Sequence, residues 1–235
     1  MFVSSAVLLQ SLNRYYFEFA PDSFVVQPWN TFSSLVFFVP IAYWVFKLRG
    51  ELKHYPMMLL ALPLLFLNGL GSTLFHGNDG GQVYMMKDVL PPLVLVISIA
   101  VYYWYRVLGH RLKAVSFVLL GLGLNVLNMY YHSSIGNMAR GVNVFYFING
   151  VTIALPLLLF LYRVRWRGLM QVILAVLLVA IALGFRVLDP LTLDYFGSSL
   201  PMGTHFLWHV ASAGAVFPLG KFLIDSQRYE LKKRQ

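Results

Sequence analysis

Seven stretches of about 20 mostly apolar residues divide this chain, near 29–47, 56–75, 88–106, 113–131, 142–162, 169–187 and 202–222. A helix of that length crosses the roughly 30 Å hydrocarbon core of a bilayer. Lipid offers no partner to backbone N–H and C=O groups, so a spanning segment satisfies them internally, as helix. The stretches take up most of the 235 residues and leave no room for a soluble domain. Composition agrees, with 59% of residues hydrophobic and 11% charged, against about 25% charged in a soluble domain. The expected fold is all-α and integral to the membrane. A single seven-transmembrane-helix bundle would span residues 1–235, with no linker, low-complexity tract or internal repeat.

The net charge of +9 would suit a nucleic acid, but its distribution excludes that partner. Lys47, Arg49 and Lys53 fall between the first two stretches, Arg106, Arg111 and Lys113 between the third and fourth, and Arg163, Arg165 and Arg167 between the fifth and sixth. Lys221, Arg228, Lys232, Lys233 and Arg234 lie at the C-terminal end. These alternate positions hold 14 of the 18 basic residues; Arg14, Lys87, Arg140 and Arg186 make up the rest. Positive charge of this kind marks cytoplasmic loops. The N-terminus is therefore expected outside and the C-terminus inside, with 1–28 an outer N-terminal segment and 225–235 a cytoplasmic basic tail; the basic charge is read as a topology signal and as a contact for anionic lipid. Residues 1–12 are apolar but lack a basic start and a cleavage site, so they do not read as a signal peptide. Cysteine is absent, which removes thiolate and disulfide chemistry.

This topology gathers the chain's rarest groups in one layer. His76 ends the second stretch, Asp88 opens the third, and His205 and His209 open the seventh, all on the outer side. Ionisable groups at membrane depth are costly and mark function. Residues four apart share a helix face, so His205 and His209 can hold one metal ion, and Ser72 lies one turn deeper than His76 on the same face. Three His with an open fourth position make a hydrolytic zinc site. Phe206, Leu207 and Trp208 stand between the paired His, so the proton-transferring carboxylate must come from elsewhere, and Asp88 is best placed. Asp88 also suits a helix N-cap. His54 and His110 read as polar groups on cytoplasmic loops, His132 as a hydrogen-bonding or surface residue, and Asp79 as solvated in the turn-like Gly77–Gly81 loop.

Three blocks in order resemble the alkaline ceramidases, members of a wider superfamily of seven-span membrane hydrolases that includes the adiponectin-type receptors. Pro28-Trp-Asn-Thr-Phe-Ser33 resembles the family's E-F-W-N-T-x-S-N. Gly69-Leu-Gly-Ser-Thr-Leu-Phe-His76, with Gln82 and Asp88-Val-Leu-Pro91, resembles G-x-G-S-x-x-F-H and Q-x-x-D-E-L-P. His205-Phe-Leu-Trp-His209 resembles H-x-x-W-H. The resemblance implies zinc on His76, His205 and His209, with Ser72 and Asp88 beside the reacting water. Where the family carries an acidic D-W-C-E-x-N stretch and the Glu of E-F-W-N-T around calcium, this chain has Tyr15-Tyr-Phe-Glu-Phe19 and Gln27, with Asp22 near. Calcium prefers several charged oxygen ligands, so a calcium site of the family type is not expected. Val89 also replaces a family Glu after Asp88.

The function expected is zinc-dependent hydrolysis of a lipid amide, ceramide or another N-acyl lipid, near the outer face of the membrane. The alternative is a non-catalytic seven-span receptor or structural protein in which zinc staples helices, a closed site that would need a fourth ligand such as His132 or Asp88. A transporter would need polar residues at several depths, for which Asn68, Asn125, Asn128, Asn143 and Asn149 leave some room.

Overall fold

The computed structural model of the protein describes residues 16–18, 20, 23–78, 82–196 and 199–229. Arg14, Asp22, Asp79, the apolar 1–12 and the tail beyond Tyr229 lie outside the described residues. All regular structure among these residues is helical: α1 Pro28–Lys47, α2 Pro56–Gly77, α3 Gln82–Leu108, α4 Arg111–Ser134, α5 Met138–Arg163, α6 Leu169–Leu188 and α7 His205–Arg228. A 3₁₀ turn, Asp189–Leu191, and a short helix, Thr192–Phe196, follow α6. Among the described residues, six helices have the length and apolarity to cross a membrane, and α5 contributes a further apolar segment, Phe147–Arg163. Most of α6 is apolar and exposed, with only Ala175 and Ala182 along it buried. Such a surface is stable only against lipid or another apolar partner.

Several boundaries differ from the sequence expectation. α3 begins at Gln82 rather than 88, because Lys87 and Asp88 interrupt the apolar run without interrupting the helix. Asp88 therefore lies in the second turn and is not an N-cap. α7 starts at His205, not 202, and continues through Asp225 to Arg228. Its last turns carry a Lys221–Asp225 ion pair at 2.7 Å and a bond from Arg228 to the Tyr55 hydroxyl, so the first residues of the expected basic tail are helical. α1 tightens into a 3₁₀ turn at Leu35–Phe37.

The described residues form two compact units. One comprises α1, α2, the start of α3 to Pro92, and residues 170–228, which carry α6 and α7. Within it α1 packs on α2 and α7. Gly71 meets the α3 backbone at Lys87 and Asp88 so closely that a Cβ there would collide. Gly220 likewise seats the Trp44 indole. The other unit holds the rest of α3 with α4 and α5. Its core contains Ala100, Trp104, Ala114 and Val118, and Asn128 Nδ2 donates to Gly141 O at 2.8 Å. His132 is buried in this unit against Gly141, and its Nδ1 has no partner among the described residues. It is neither a surface residue nor hydrogen-bonded through that nitrogen, because Gly141 leaves room for the ring on α5.

Candidate metal centre

His205 and His209 project from the first turns of α7, whose start is pinned by a carboxylate. Asp189 is 1% exposed, and its Oδ1 accepts the Thr204 and His205 N–H groups, both at 2.8 Å. Its Oδ2 accepts Phe17 N–H at 2.9 Å. A negative charge here satisfies donors that the helix leaves unpaired and complements its dipole. Gly203, at φ +71°, abuts the same carboxylate where no Cβ would fit.

His76 comes from the last turn of α2. Gln27 precedes α1, and its backbone N–H donates to His76 O at 3.1 Å. Its side-chain Oε1 lies 2.7 Å from His76 Nδ1 and also receives Asn30 Nδ2 at 3.0 Å. An amide oxygen only accepts. His76 Nδ1 is therefore the protonated nitrogen, and Nε2 presents a lone pair. That Nε2 is buried without a partner.

His209 is held from α1. Its Nδ1 lies 2.8 Å from Ser33 Oγ and 3.4 Å from Ser34 Oγ. Ser33 Oγ donates to Asn30 O at 3.1 Å, so it accepts the His209 Nδ1 proton and leaves Nε2 open.

The three imidazoles are at most 2% exposed, and each offers a ligand nitrogen within 4.8 Å of the others. His76 Nε2 and His205 Nδ1 are both buried and unpartnered, a costly state unless something completes them. Three neutral imidazoles, two with their outer nitrogens tied to oxygen acceptors, fit a borderline-soft divalent ion such as zinc. Among the described residues no fourth His, Cys, Asp or Glu joins the cluster.

Ser72 and Asp88 lie beside this group through side-chain contacts. Ser34 Oγ is 3.0 Å from Ser72 Oγ, and Ser72 bonds the Asp88 carboxylate. Asn68 Nδ2 donates to Asp88 Oδ1 at 3.2 Å and to its backbone oxygen at 2.8 Å. Arg186, at the end of α6, acts electrostatically on Asp88 and stacks its guanidinium over Trp208 at 5.2 Å. The Tyr16 ring packs edge-on against His205 and His76, with centroids 4.4 and 5.0 Å away. Burial pushes its phenol up to about 12, against the opposing pull of Arg186, so the group stays neutral. Between α2 and the first turns of α3 lies an apolar cavity of about 460 Å³, lined by Leu67, Leu70, Val83, Met86, Leu90 and Pro91.

Glu18 has a structural task. Its Oε1 accepts Trp29 N–H at 2.8 Å and its Oε2 accepts Asn30 N–H at 2.9 Å, at the start of α1. Burial raises its pKa above the usual carboxylate value, and those two N–H donors oppose the rise.

His76, His205 and His209 are thus brought together as the spacing suggested, with Ser72 and Asp88 linked to them. Sequence reasoning missed the orienting roles of Gln27, Ser33, Asp189, Arg186 and Tyr16. Asp189-Pro190 carried a signal, since an acid followed by proline at a helix end marks a turn. Comparisons with protein-family models, curated proteins and solved structures found no match. Among the described residues, the fold and site define an all-helical protein with six helices long and apolar enough to cross a membrane and a buried three-histidine cluster able to take a metal ion.

Proposed function

We propose that the protein is a zinc-dependent intramembrane hydrolase similar to the alkaline ceramidases, cleaving the amide bond of an N-acyl lipid to a fatty acid and an amine. The observation that carries this reading is the convergence of His76, His205 and His209, with ligand nitrogens within 4.8 Å of one another, beside the Ser72–Asp88 pair. Zinc on these three nitrogens supplies a Lewis acid and a water acidified to a pKa of about 7.

The rest of the chemistry belongs to the chain. Asp88 accepts a proton from the attacking water and returns it to the leaving amine. Asn68 and Ser72 both bond the carboxylate and orient it for this exchange. The Ser72 proton serves the Asp88 carboxylate at rest; once Asp88 has taken the water proton, Ser72 is free to turn its O–H to the developing oxyanion, with its oxygen 3.0 Å from Ser34 Oγ. Gln27 and Ser33 fix the tautomers of His76 and His209. The acyl chain lies in the apolar cavity between α2 and α3, whose lining includes Gly71 and Lys87, the chain neighbours of Ser72 and Asp88. Its volume is within the range of about 300–1,000 Å³ usual for ligand sites. The charge pattern puts this end of α1, α2 and α7 at the outer face, with the C-terminus cytoplasmic. A structural zinc staple would need a closed coordination shell, and the three-ligand cluster favours catalysis instead.

Mass spectrometry of ceramide and other N-acyl lipids incubated with purified protein tests this. Release of fatty acid, abolished by a zinc chelator and restored by zinc, is expected. A zinc-loaded protein that hydrolyses no N-acyl lipid would contradict it.

A further inference from the structure

The end of the first unit remote from the histidines holds a larger cavity, of about 660 Å³, between the C-terminal ends of α1 and α7 and the start of α6. Along α7, Lys221 is twelve residues beyond His209, which is about 18 Å of helix. The floor is built rather than incidental. Trp44 is 3% exposed and seated on Gly220, with its Nε1 directed at Val216 O at 3.4 Å. Leu48 and Tyr55 are also buried there. The α6 wall is formed by Met170 and Leu174, both exposed, with Gln171 as its one polar residue.

The rim is polar and carries more positive than negative charge: Lys47, Lys221 and Arg228 against Glu51 and Asp225. Lys221 pairs with Asp225 at 2.7 Å. Lys47 and Arg228 make no ion pair among the described residues. Lys47 Nζ donates to the Tyr43 hydroxyl at 2.8 Å and sits over the Tyr43 and Trp44 rings. Arg228 donates to the Tyr55 hydroxyl and sits over that ring. Glu51 and Asp225 act on Arg228 only through space. Two cations are thus positioned by phenols, which orient them without neutralising them. Both lie at the mouth of a groove whose wall continues onto an exposed apolar helix.

We propose that this cavity binds an anionic phospholipid, its phosphate between Lys47 and Arg228 and its acyl chain along Leu174 and Phe217. A soluble anion would use the two cations and have no use for the apolar wall. A neutral lipid would use the wall and leave the cations uncompensated. This site is separate from the metal centre and does not depend on its chemistry.

Native mass spectrometry of the full chain in detergent, titrated with phosphatidylglycerol or phosphatidylcholine, tests the proposal. The parent should bind phosphatidylglycerol in preference. Each cation near an anionic headgroup contributes enough that the Lys47→Ala/Arg228→Ala double variant should bind it roughly thirtyfold more weakly, with phosphatidylcholine binding unchanged. Leu174→Trp, which fills the groove from its exposed side and leaves the rim intact, should also lose phosphatidylglycerol. Equal binding of the two lipids by the parent would overturn the proposal. So would parental phosphatidylglycerol binding in Leu174→Trp, or displacement of the lipid by inorganic phosphate alone at comparable concentration.

Discussion

Gln27 Oε1 sits 2.7 Å from His76 Nδ1, and the consequence falls on the far side of the ring. With Nδ1 holding the proton, Nε2 faces the other two histidines as a lone pair. Gln27→Leu removes the acceptor at similar size. Zinc affinity should fall by about 10–100-fold with the helices intact, as read by competitive zinc titration and circular dichroism. Gln27→Glu, which still accepts, should keep most of the affinity. Parental affinity in Gln27→Leu would show that the imidazole needs no such partner.

Asp189 is expected to matter for stability more than for chemistry. Asp189→Ala leaves the part-buried Phe17 N–H and the two buried N–H groups of Thr204 and His205 without their acceptor, at about 1–3 kcal/mol for each of the two buried donors. The variant should lose about 2–5 kcal/mol, visible as a lower unfolding midpoint in detergent. Asp189→Asn should lose less, because one oxygen still accepts. An unchanged midpoint in Asp189→Ala would contradict this role.

Substitutions at Asp88 and Ser72 are expected to separate chemistry from metal binding. Asp88→Asn cannot act as a base near neutral pH, yet keeps its size and some hydrogen bonding. It should retain zinc while hydrolysis falls by about two to four decades. Ser72→Ala should lose less, since a hydroxyl that orients the reaction need not carry the proton. Hydrolysis at the parent rate in Asp88→Asn would exclude the proposed mechanism.

Glu18 contributes a pH dependence of defined sign. Its pKa in the folded protein is raised above the ordinary carboxylate value by burial. The contribution is therefore fully present below the unfolded value and is lost as pH rises through the folded one. The parent should gain stability on acidification across that window, and Glu18→Gln should flatten this component. Unfolding midpoints of both proteins across mildly acidic pH would show it.

Most of the helical architecture was legible because apolar length is nearly sufficient to specify a membrane helix. The misread boundaries are those where polar groups stay helical. Lys87 and Asp88 continue α3, and Asp225 continues α7 through its pair with Lys221. The convergence of His76, His205 and His209 was legible from two local spacings and a shared layer. The groups that orient it were not, because Gln27 and His76, Ser33 and His209, and Asp189 and His205 meet only after folding. The 3₁₀ turn in α1 left no mark in hydropathy at all.

The most direct test is elemental analysis of purified protein, parent and His205→Ala. Zinc is expected in the parent, bound by His76, His205 and His209, with most of it lost in the variant. Zinc at full occupancy in His205→Ala, or a parent that takes up no zinc when supplied with it, would contradict the account.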